Sequence, residues 1–224
     1  MNCLFEYLDP HNIDISRWDV SNVKDMHNMF FNCENFDCDL SNWNVSKVED
    51  MSFMFSYCQN FSGQGLKNWN PIKCKDMNHM FYNCNKFNRD LSNWDVSKVL
   101  DMDCMFYSCI NFTGKGLNNW KPIKCKNMRG MFNQCRNFDY NLSNWDVSNV
   151  KDMTGMFFKC INFTGKGLDN WNPIKCKNMK FMFQSCENFN CDLSDWDVRN
   201  VKVKDMRYMF DNCISLKTKP GWYK

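Results

Sequence analysis

The 224-residue sequence lacks alanine, long apolar runs and any large excess of charge. The missing alanine is a bias of AT-rich coding sequence and describes the genome, not the function. No apolar stretch approaches the ~20 residues that a helix needs to cross a bilayer, so we expect no membrane segment. The formal net charge is +3, from 28 basic and 25 acidic residues, which gives no support for a dedicated nucleic-acid binder.

The first ten residues also lack the basic and apolar regions of a secretory signal, which favours an intracellular location. The 15 cysteines are then expected in a reducing compartment. Their odd number leaves at least one of them unpaired in any disulfide scheme. No Cys-x-x-Cys pair is present, so the spacing predicts no zinc site or other metal site.

What the sequence does contain is a repeat with steps of 25 and 26 residues. Every tryptophan belongs to it: Trp18, Trp43, Trp69, Trp94, Trp120, Trp145, Trp171, Trp196 and Trp222. A methionine, a Met-Phe pair, a cysteine and a phenylalanine follow in each repeat, as in Met51, Met54-Phe55, Cys58 and Phe61, except that the last repeat ends in Leu216. Two variants of the repeat alternate, one with Leu-Ser-Asn-Trp-Asp-Val-Ser and one with Gly-Leu-x-Asn-Trp-x-Pro-Ile.

The repeat predicts a solenoid of eight turns, because one turn is too small to bury its own apolar side chains. Leu-x-x-Trp-x-Val has the alternation of a short parallel strand, and Val-x-x-Met-x-x-Met-Phe has the spacing of a short helical or 3₁₀ turn. We expect one domain, with an N-terminal cap at 1–12, the repeats at 13–216 and a C-terminal cap at 217–224. Asp9-Pro10 predicts a turn in the first cap, and Trp222 is placed to cover the last open face.

The repeat at Leu142 to Phe163 resembles the BspA-type leucine-rich repeat, in the variant found in mycoplasma and other bacterial surface proteins and in giant-virus proteins. The resemblance extends over residues 13–216. It implies a leucine-rich-repeat-like solenoid with a parallel sheet on one side, and it implies no catalytic activity. Bacterial relatives are associated with adhesion. A viral source would place the protein in the host cytoplasm or the virion.

Several recurring residues have a structural interpretation. The cysteine of each repeat is expected to be a small buried residue, and Cys74, Cys125 and Cys176 replace valines of the other repeats, which predicts core packing. The Gly-x-Gly pairs, such as Gly63 and Gly65, predict a tight bend. Lysines beside the tryptophan segment are expected to form a stripe that neutralises a file of aspartates, with an acidic partner as the alternative. The stripe consists of Lys24, Lys47, Lys73, Lys75, Lys98, Lys124, Lys126, Lys151, Lys175 and Lys177.

The positions around Met-x-x-Met-Phe vary between repeats and collect aromatic residues. If exposed, so apolar a surface indicates a site for a protein partner, and the alternative is that some of these rings fold over the core. The candidate partner-binding residues are Phe31, Phe53, Tyr57, Tyr82, Tyr107, Phe158, Phe181 and Tyr208. No catalytic residues and no cofactor site can be assembled, since His11, His27 and His79 share no motif.

The sequence therefore favours a non-enzymatic protein–protein interaction scaffold with an unidentified protein partner and no small-molecule substrate. Two alternatives are a structural element, self-assembling through weak end-to-end contacts, and an adhesin-like surface module.

Overall fold

Residues one repeat apart in the sequence lie side by side in a computed structural model that describes residues 1–8, 10 and 13–224. Met26 N donates to Asp50 O at 2.9 Å, and Phe30 N donates to Met54 O at the same distance. Each coil thus rests on the next, as the predicted solenoid requires. Coils 1 to 8 begin at Ile15, Leu40, Leu66, Leu91, Leu117, Leu142, Leu168 and Leu193. Asp9 of the predicted cap turn, and His11, lie outside the described residues.

Parallel pairing between coils is confined to isolated bridges, and no β-strand forms within the described residues. The bridges begin with Asp25 and Asp50 and continue coil by coil to Asn178. The predicted strand at Leu-x-x-Trp-x-Val is not formed, because Trp43 N donates to Leu40 O at 3.1 Å and closes a turn. An extended chain cannot make that bond. The parallel sheet implied by the resemblance is therefore reduced to single bridged residues.

The segment from the first methionine to the cysteine of each coil is a succession of tight turns instead of the predicted helical or 3₁₀ turn. Met29 N donates to Met26 O at 3.2 Å and Cys33 N donates to Phe30 O at 3.1 Å. The second and sixth residues after the first methionine have positive φ in every coil, as do Asn28 (54°) and Asn32 (60°). Alternate N–H groups consequently bond within the coil and to the next coil.

The short 3₁₀ turns lie elsewhere, at the start of the longer coils. They span Leu66–Asn68, Leu117–Asn119 and Leu168–Asn170, and a fourth at Val203–Asp205 comes just before the first methionine of coil 8. A glycine with positive φ precedes each of the first three. A Cβ on Gly116 (φ 92°) would lie 2.4 Å from Ser92 N in the coil below. The tight bend predicted for Gly-x-Gly is confirmed, although it leads into a 3₁₀ turn and not a strand.

The core consists of equivalent side chains stacked in files along the solenoid. The indole rings from Trp43 to Trp222 are stacked with centroids 6.0–6.4 Å apart. Each of these indoles also donates to a backbone carbonyl of the preceding coil, as Trp120 Nε1 does to Leu91 O at 3.0 Å. The eight tryptophans from Trp43 to Trp222 thus form one file along the solenoid, whereas the ring of Trp18 lies 5.7 Å from Phe5.

The cysteine of each coil forms a second file, and it is buried as predicted. In coils 2 to 8 the Sγ donates to the carbonyl of the Met-Phe phenylalanine one coil earlier, as Cys109 Sγ does to Phe81 O, and Cys33 Sγ donates in the same way to Phe5 O, all at 2.8–3.0 Å. Burial raises the pKa of the Cys84 thiol, and the neighbouring cysteines Cys109 and Cys58 act in the same direction. The Cys84 thiol is therefore protonated and serves as a donor, to Phe55 O at 2.9 Å.

Both ends of the described chain continue the pattern. Phe5 stacks on Phe30 at 5.5 Å, and Phe5 N donates to Met29 O at 2.9 Å, so residues 1–8 pair with coil 1 as any coil pairs with its neighbour. At the other end the ring of Trp222 stacks on Trp196 at 6.4 Å, as expected for a residue that covers coil 8.

Candidate functional site

The eight aromatic residues singled out in the sequence lie on one side of the solenoid, and we call them the aromatic face. None of them belongs to the buried core: Tyr57 and Tyr208 are exposed, at 37% and 51%, and the other six are half-buried. None of the eight rings is therefore buried in the core, which was the alternative interpretation. They remain a predicted partner-binding surface, since exposure by itself does not show binding.

Ring contacts connect the aromatic face across coils 1 to 4. Phe31 lies 5.7 Å from Tyr57, Tyr57 lies 5.2 Å from Tyr82, and Tyr82 stacks on Tyr107 at 4.6 Å. Burial and the adjacent tyrosines raise the pKa of Tyr82 to about 12, so its hydroxyl is neutral at physiological pH. A second, smaller group on coils 7 and 8 pairs Phe181 with Tyr208 at 5.4 Å.

His79 belongs to this surface, although sequence reasoning did not select it. Its ring stacks on Phe53 at 4.5 Å, with 8° between the planes, and lies 5.3 Å from Tyr82. Burial lowers the pKa of His79, against the opposing charges of Asp103 and Asp101. The signal that could have found it is its position in the repeat, two residues after Met77, which is the position of Phe53 after Met51.

Four of the eight aromatic residues occupy backbone positions that favour glycine or asparagine. Phe53, Tyr57, Phe181 and Tyr208 have φ between 55° and 64°. A left-handed conformation costs a residue with a Cβ roughly 1–2 kcal/mol. Coils 5 and 6 have Gly130 and Gly155 at the position of Phe53. The coil geometry therefore does not require aromatic side chains at these positions and is strained by them.

A depression of about 480 Å³ separates the two aromatic groups. Its floor is formed at Gly130 and Gly155, where two consecutive coils have no side chain, and Tyr107 and Phe158 are among its walls. Asn133 also lines it, and its Oδ1 is buried without a hydrogen-bond partner among the described residues. This acceptor is a place where a bound molecule could donate a hydrogen bond.

Three potential metal ligands converge between coils 3 and 4. Nitrogen, oxygen and sulfur atoms of His79, Asp103 and Cys104 all lie within 4.8 Å of one another, and all three residues are half-buried. Burial raises the pKa of the Cys104 thiol to about 12, and the Asp103 carboxylate contributes in the same direction. The predicted absence of a metal site rested on spacing along the chain, which does not consider neighbours one repeat apart.

The file of aspartates consists of Asp25, Asp50, Asp76, Asp101, Asp152 and Asp205, and its neutralisation by the lysine stripe stays a prediction. Among the described residues, no lysine of the stripe lies within 4.0 Å of these carboxylates. Instead, the carboxylate accepts the N–H two residues later, as Asp50 Oδ1 does from Ser52 N at 2.8 Å and Asp152 Oδ1 does from Thr154 N at 2.8 Å. Coils 5 and 7 have uncharged Asn127 and Asn178 at this position, which limits the repulsion along the file.

The lysine stripe is exposed and lies beside this file. Lys124, Lys126, Lys151 and Lys175 line a shallow depression of about 450 Å³ together with Leu100 and Asn149. Lys175 Nζ donates to Asn149 Oδ1 at 2.7 Å. Lys75 forms the one ion pair of the stripe within the described residues, with Glu49 at 2.6 Å. An acidic partner for this stripe remains a prediction.

The described part of the chain contains no helix of the length and apolarity that a membrane span requires.

Comparison with solved structures gives only weak likenesses. The leucine-rich repeat domain of APL1B is 9% identical over 67% of this chain and 40% of its own, with a TM-score of 0.28. The functional domain of InlJ from Listeria monocytogenes, which includes a cysteine ladder, is 10% identical over 72% of this chain and 37% of its own, with a TM-score of 0.33. A leucine-rich repeat protein from Bacteroides ovatus is 12% identical over 91% of this chain and 82% of its own, with a TM-score of 0.27.

These TM-scores do not support a fold assignment. The solenoid is established by the hydrogen bonds and ring stacking between its coils. The chain spans less than half the length of the first two of these proteins. No curated protein matches the sequence.

A family model does match, and it covers the chain twice. The matched residues are 1–120 and 101–222, which together include all eight coils and both ends of the indole file. The chain therefore belongs to the family described as Mycoplasma protein of unknown function, DUF285.

Proposed function

We propose that this protein is a non-enzymatic protein–protein interaction scaffold that binds an as yet unidentified protein through its aromatic face. No small-molecule substrate and no nucleic acid is part of this proposal. Within the family we propose the narrower assignment to BspA-type leucine-rich repeats, on the repeat motif at Leu142 to Phe163. That assignment implies recognition and not catalysis.

The main support for the proposal is that bulky aromatic residues occupy strained backbone positions that are accessible to solvent. Phe53, Tyr57, Phe181 and Tyr208 contribute little to the core, yet each costs roughly 1–2 kcal/mol relative to glycine at a left-handed position. Local strain of this kind concentrates where a side chain serves binding. Tyrosine and tryptophan are enriched among the residues that dominate binding at protein interfaces, because they bury a large area with little loss of conformational freedom.

Charged substitutions on the aromatic face test the proposal. We expect Tyr82→Asp and Tyr107→Asp, singly and together, to abolish capture of a specific partner from the native cell, with each single change lowering affinity at least about tenfold because a truncated hot-spot residue costs about 2 kcal/mol or more. Captured proteins are quantified by mass spectrometry against the wild-type protein, and thermal melting is recorded for each variant.

The matched control is Ile110→Asp, which places the same charge at an apolar residue that is 39% exposed but is not part of the aromatic face. It should leave capture unchanged. Equal capture by Tyr82→Asp and wild type, at equal thermal stability, would contradict the proposal. A large loss of melting temperature in Tyr82→Asp would show that the ring serves the fold instead.

A self-assembling structural element is the second candidate. Tyr7 is 67% exposed at one end of the described chain and Ile214 is 78% exposed at the other, so apolar side chains are available for contact between copies. Sedimentation velocity at several concentrations, run with the capture samples, distinguishes the two. Concentration-dependent growth that is unaffected by Tyr82→Asp favours assembly over the scaffold. The adhesin-like role stays a third, less supported, alternative.

A further inference from the structure

His79, Asp103 and Cys104 are brought together by the stacking of coils and not by proximity in sequence. His79 and Cys104 each lie two residues after the first methionine of their coil, so they are equivalent residues of coils 3 and 4. His79 N donates to Asp103 O at 2.8 Å, which fixes the register between them. The two backbones have the same left-handed φ, 54° and 52°. Their side chains therefore leave adjacent coils in the same direction, with Asp103 beside them.

One ligand atom of this cluster has no other function in the fold. Asp103 Oδ1 is buried and accepts no hydrogen bond among the described residues. An unsatisfied buried carboxylate oxygen is costly unless a proton donor or a cation completes it. The Asp103 N–H is bonded to Asp101 Oδ1 at 2.8 Å, so the backbone N–H is satisfied while Oδ1 of the side chain is not.

We propose that His79, Asp103 and Cys104 form a binding site for a divalent transition-metal ion of the zinc class. An imidazole nitrogen, a carboxylate oxygen and a sulfur are the three donor types that zinc accepts in proteins. The combination does not suit calcium or magnesium, which bind through oxygen.

The separations of the ligand atoms are compatible with such an ion after a small adjustment. Metal–ligand distances of about 2.0–2.3 Å in a tetrahedron place the ligand atoms about 3.3–3.8 Å apart, and here all three atoms lie within 4.8 Å of one another. Side-chain rotation of about 1 Å closes the set around the ion. Three protein ligands leave a fourth position, which solvent or a ligand from a bound molecule can fill. Cys104 also lines the depression over Gly130, so the ion would lie at its edge.

Arg129, on coil 5, opposes the binding of a cation. Its charge acts on both His79 and Cys104, and Cys104 N donates to Arg129 O at 2.8 Å. The side chain is exposed, so its field is partly screened by water. Thr154 occupies the equivalent position in coil 6, which makes Arg129→Thr a substitution that the coil accommodates.

Titration of the reduced, metal-free protein with Co²⁺, followed by displacement with Zn²⁺, tests the proposal. We expect one equivalent of Co²⁺ to give the intense visible bands of a tetrahedral site and a sulfur-to-cobalt charge-transfer band. Cys104→Ser should remove the charge-transfer band. His79→Asn and Asp103→Asn should each weaken binding at least about tenfold, since loss of even an indirect partner of a metal ligand costs 10–100-fold. Arg129→Thr should strengthen binding several-fold.

The controls separate this site from adventitious binding by other cysteines. Cys191 is also half-buried but lies outside the cluster, so Cys191→Ser should bind Co²⁺ like wild type. Asn28 and Asn78 occupy the positions of His79 and Asp103 in other coils, so the two asparagine variants should fold, which urea unfolding of the metal-free proteins verifies. A charge-transfer band that persists in Cys104→Ser, or unchanged affinity in a folded His79→Asn, would overturn the proposal.

Discussion

Two sets of cysteines in this solenoid are equally buried but use their sulfur atoms differently. Cys109 and its equivalents donate across coils, at 2.9 Å to Phe81 O in this case. Cys125 stands where other coils have Val99 and Val150, and its own sulfur contact, to Asn127 O at 3.3 Å, is within the same coil and longer. Sequence comparison between the repeats predicted burial for both sets. It could not show that the thiols of the Cys109 set serve as hydrogen-bond donors between coils.

Substitution of each cysteine by valine separates the two roles. We expect Cys125→Val to change the free energy of unfolding by less than about 1.5 kcal/mol, because the packing at this position accepts a valine in other coils, at Val99 and Val150. Cys109→Val should cost about 2–4 kcal/mol, since it loses a hydrogen bond worth about 1 kcal/mol and crowds a packed file by a further 1–3 kcal/mol. Urea unfolding measures both. Equal costs for the two variants would show that the thiol bond to Phe81 adds nothing.

At the scale of the turn, the repeat period predicts which residues of adjacent coils lie side by side. It does not predict the backbone conformation of those residues. Trp43 and Val45 are buried and Asn44 is exposed, and an extended strand and a series of turns both produce that alternation. The strand prediction failed for this reason. The aromatic face was found because its residues vary while the core does not. The His79 cluster was missed because its members are 24 and 25 residues apart, which no linear metal motif contains.

The tight bends make a prediction at this scale. A Cβ on Gly116 would lie 2.4 Å from a backbone nitrogen of the coil below, so Gly116→Ala should destabilise the protein by more than about 3 kcal/mol through forced separation of coils. At Gly155 the nearest atom is the Asn133 side chain at 3.5 Å, so Gly155→Ala should cost only the left-handed backbone penalty of about 1–2 kcal/mol. Thermal and urea unfolding of the pair provide the comparison. Similar losses of unfolding free energy at both positions would mean that the coil next to Gly116 moves away from the added methyl group at little cost.

Over the whole molecule, like charges lie side by side along the file of aspartates, as at Asp50, Asp76 and Asp101. Burial raises the pKa of Asp76, and the charges of Asp101 and Asp50 add to this effect even though hydrogen bonds from Asn78 oppose it. The raised pKa means that the charged form is less favourable in the folded state than in the unfolded chain. Asp76 therefore stabilises the fold most when it is protonated, and this contribution is lost as the pH rises through its folded pKa.

Asp76→Asn should consequently stabilise the protein at neutral pH, by up to about 1 kcal/mol, the usual scale for like charges on adjacent chains. The asparagine keeps an acceptor for Asn78 N, as Asn127 Oδ1 does for Arg129 N at 3.1 Å. The gain should shrink as the pH falls through the folded pKa of Asp76 and vanish below the pKa of the unfolded chain. Urea unfolding at neutral and acidic pH measures it.

Asp139→Asn is a control of opposite sign. Burial acts to raise the pKa of Asp139, but hydrogen bonds from Lys166 and Thr164 outweigh it and hold that pKa below its usual value. Removal of this carboxylate should destabilise the protein at neutral pH, and the difference from wild type should disappear as the pH falls through the folded pKa. If Asp76→Asn also destabilised the protein at neutral pH, repulsion along the file would not be the dominant effect there.

The file of tryptophan rings has an optical consequence. Eight indoles lie nearly parallel, each about 6 Å from the next and held in orientation by a bond from its nitrogen. At such separations the transition dipoles of neighbouring rings couple, so light absorbed by one ring is not confined to it. We therefore expect the ultraviolet circular dichroism of the folded chain to carry a signal of coupled indoles, which unfolding in urea removes.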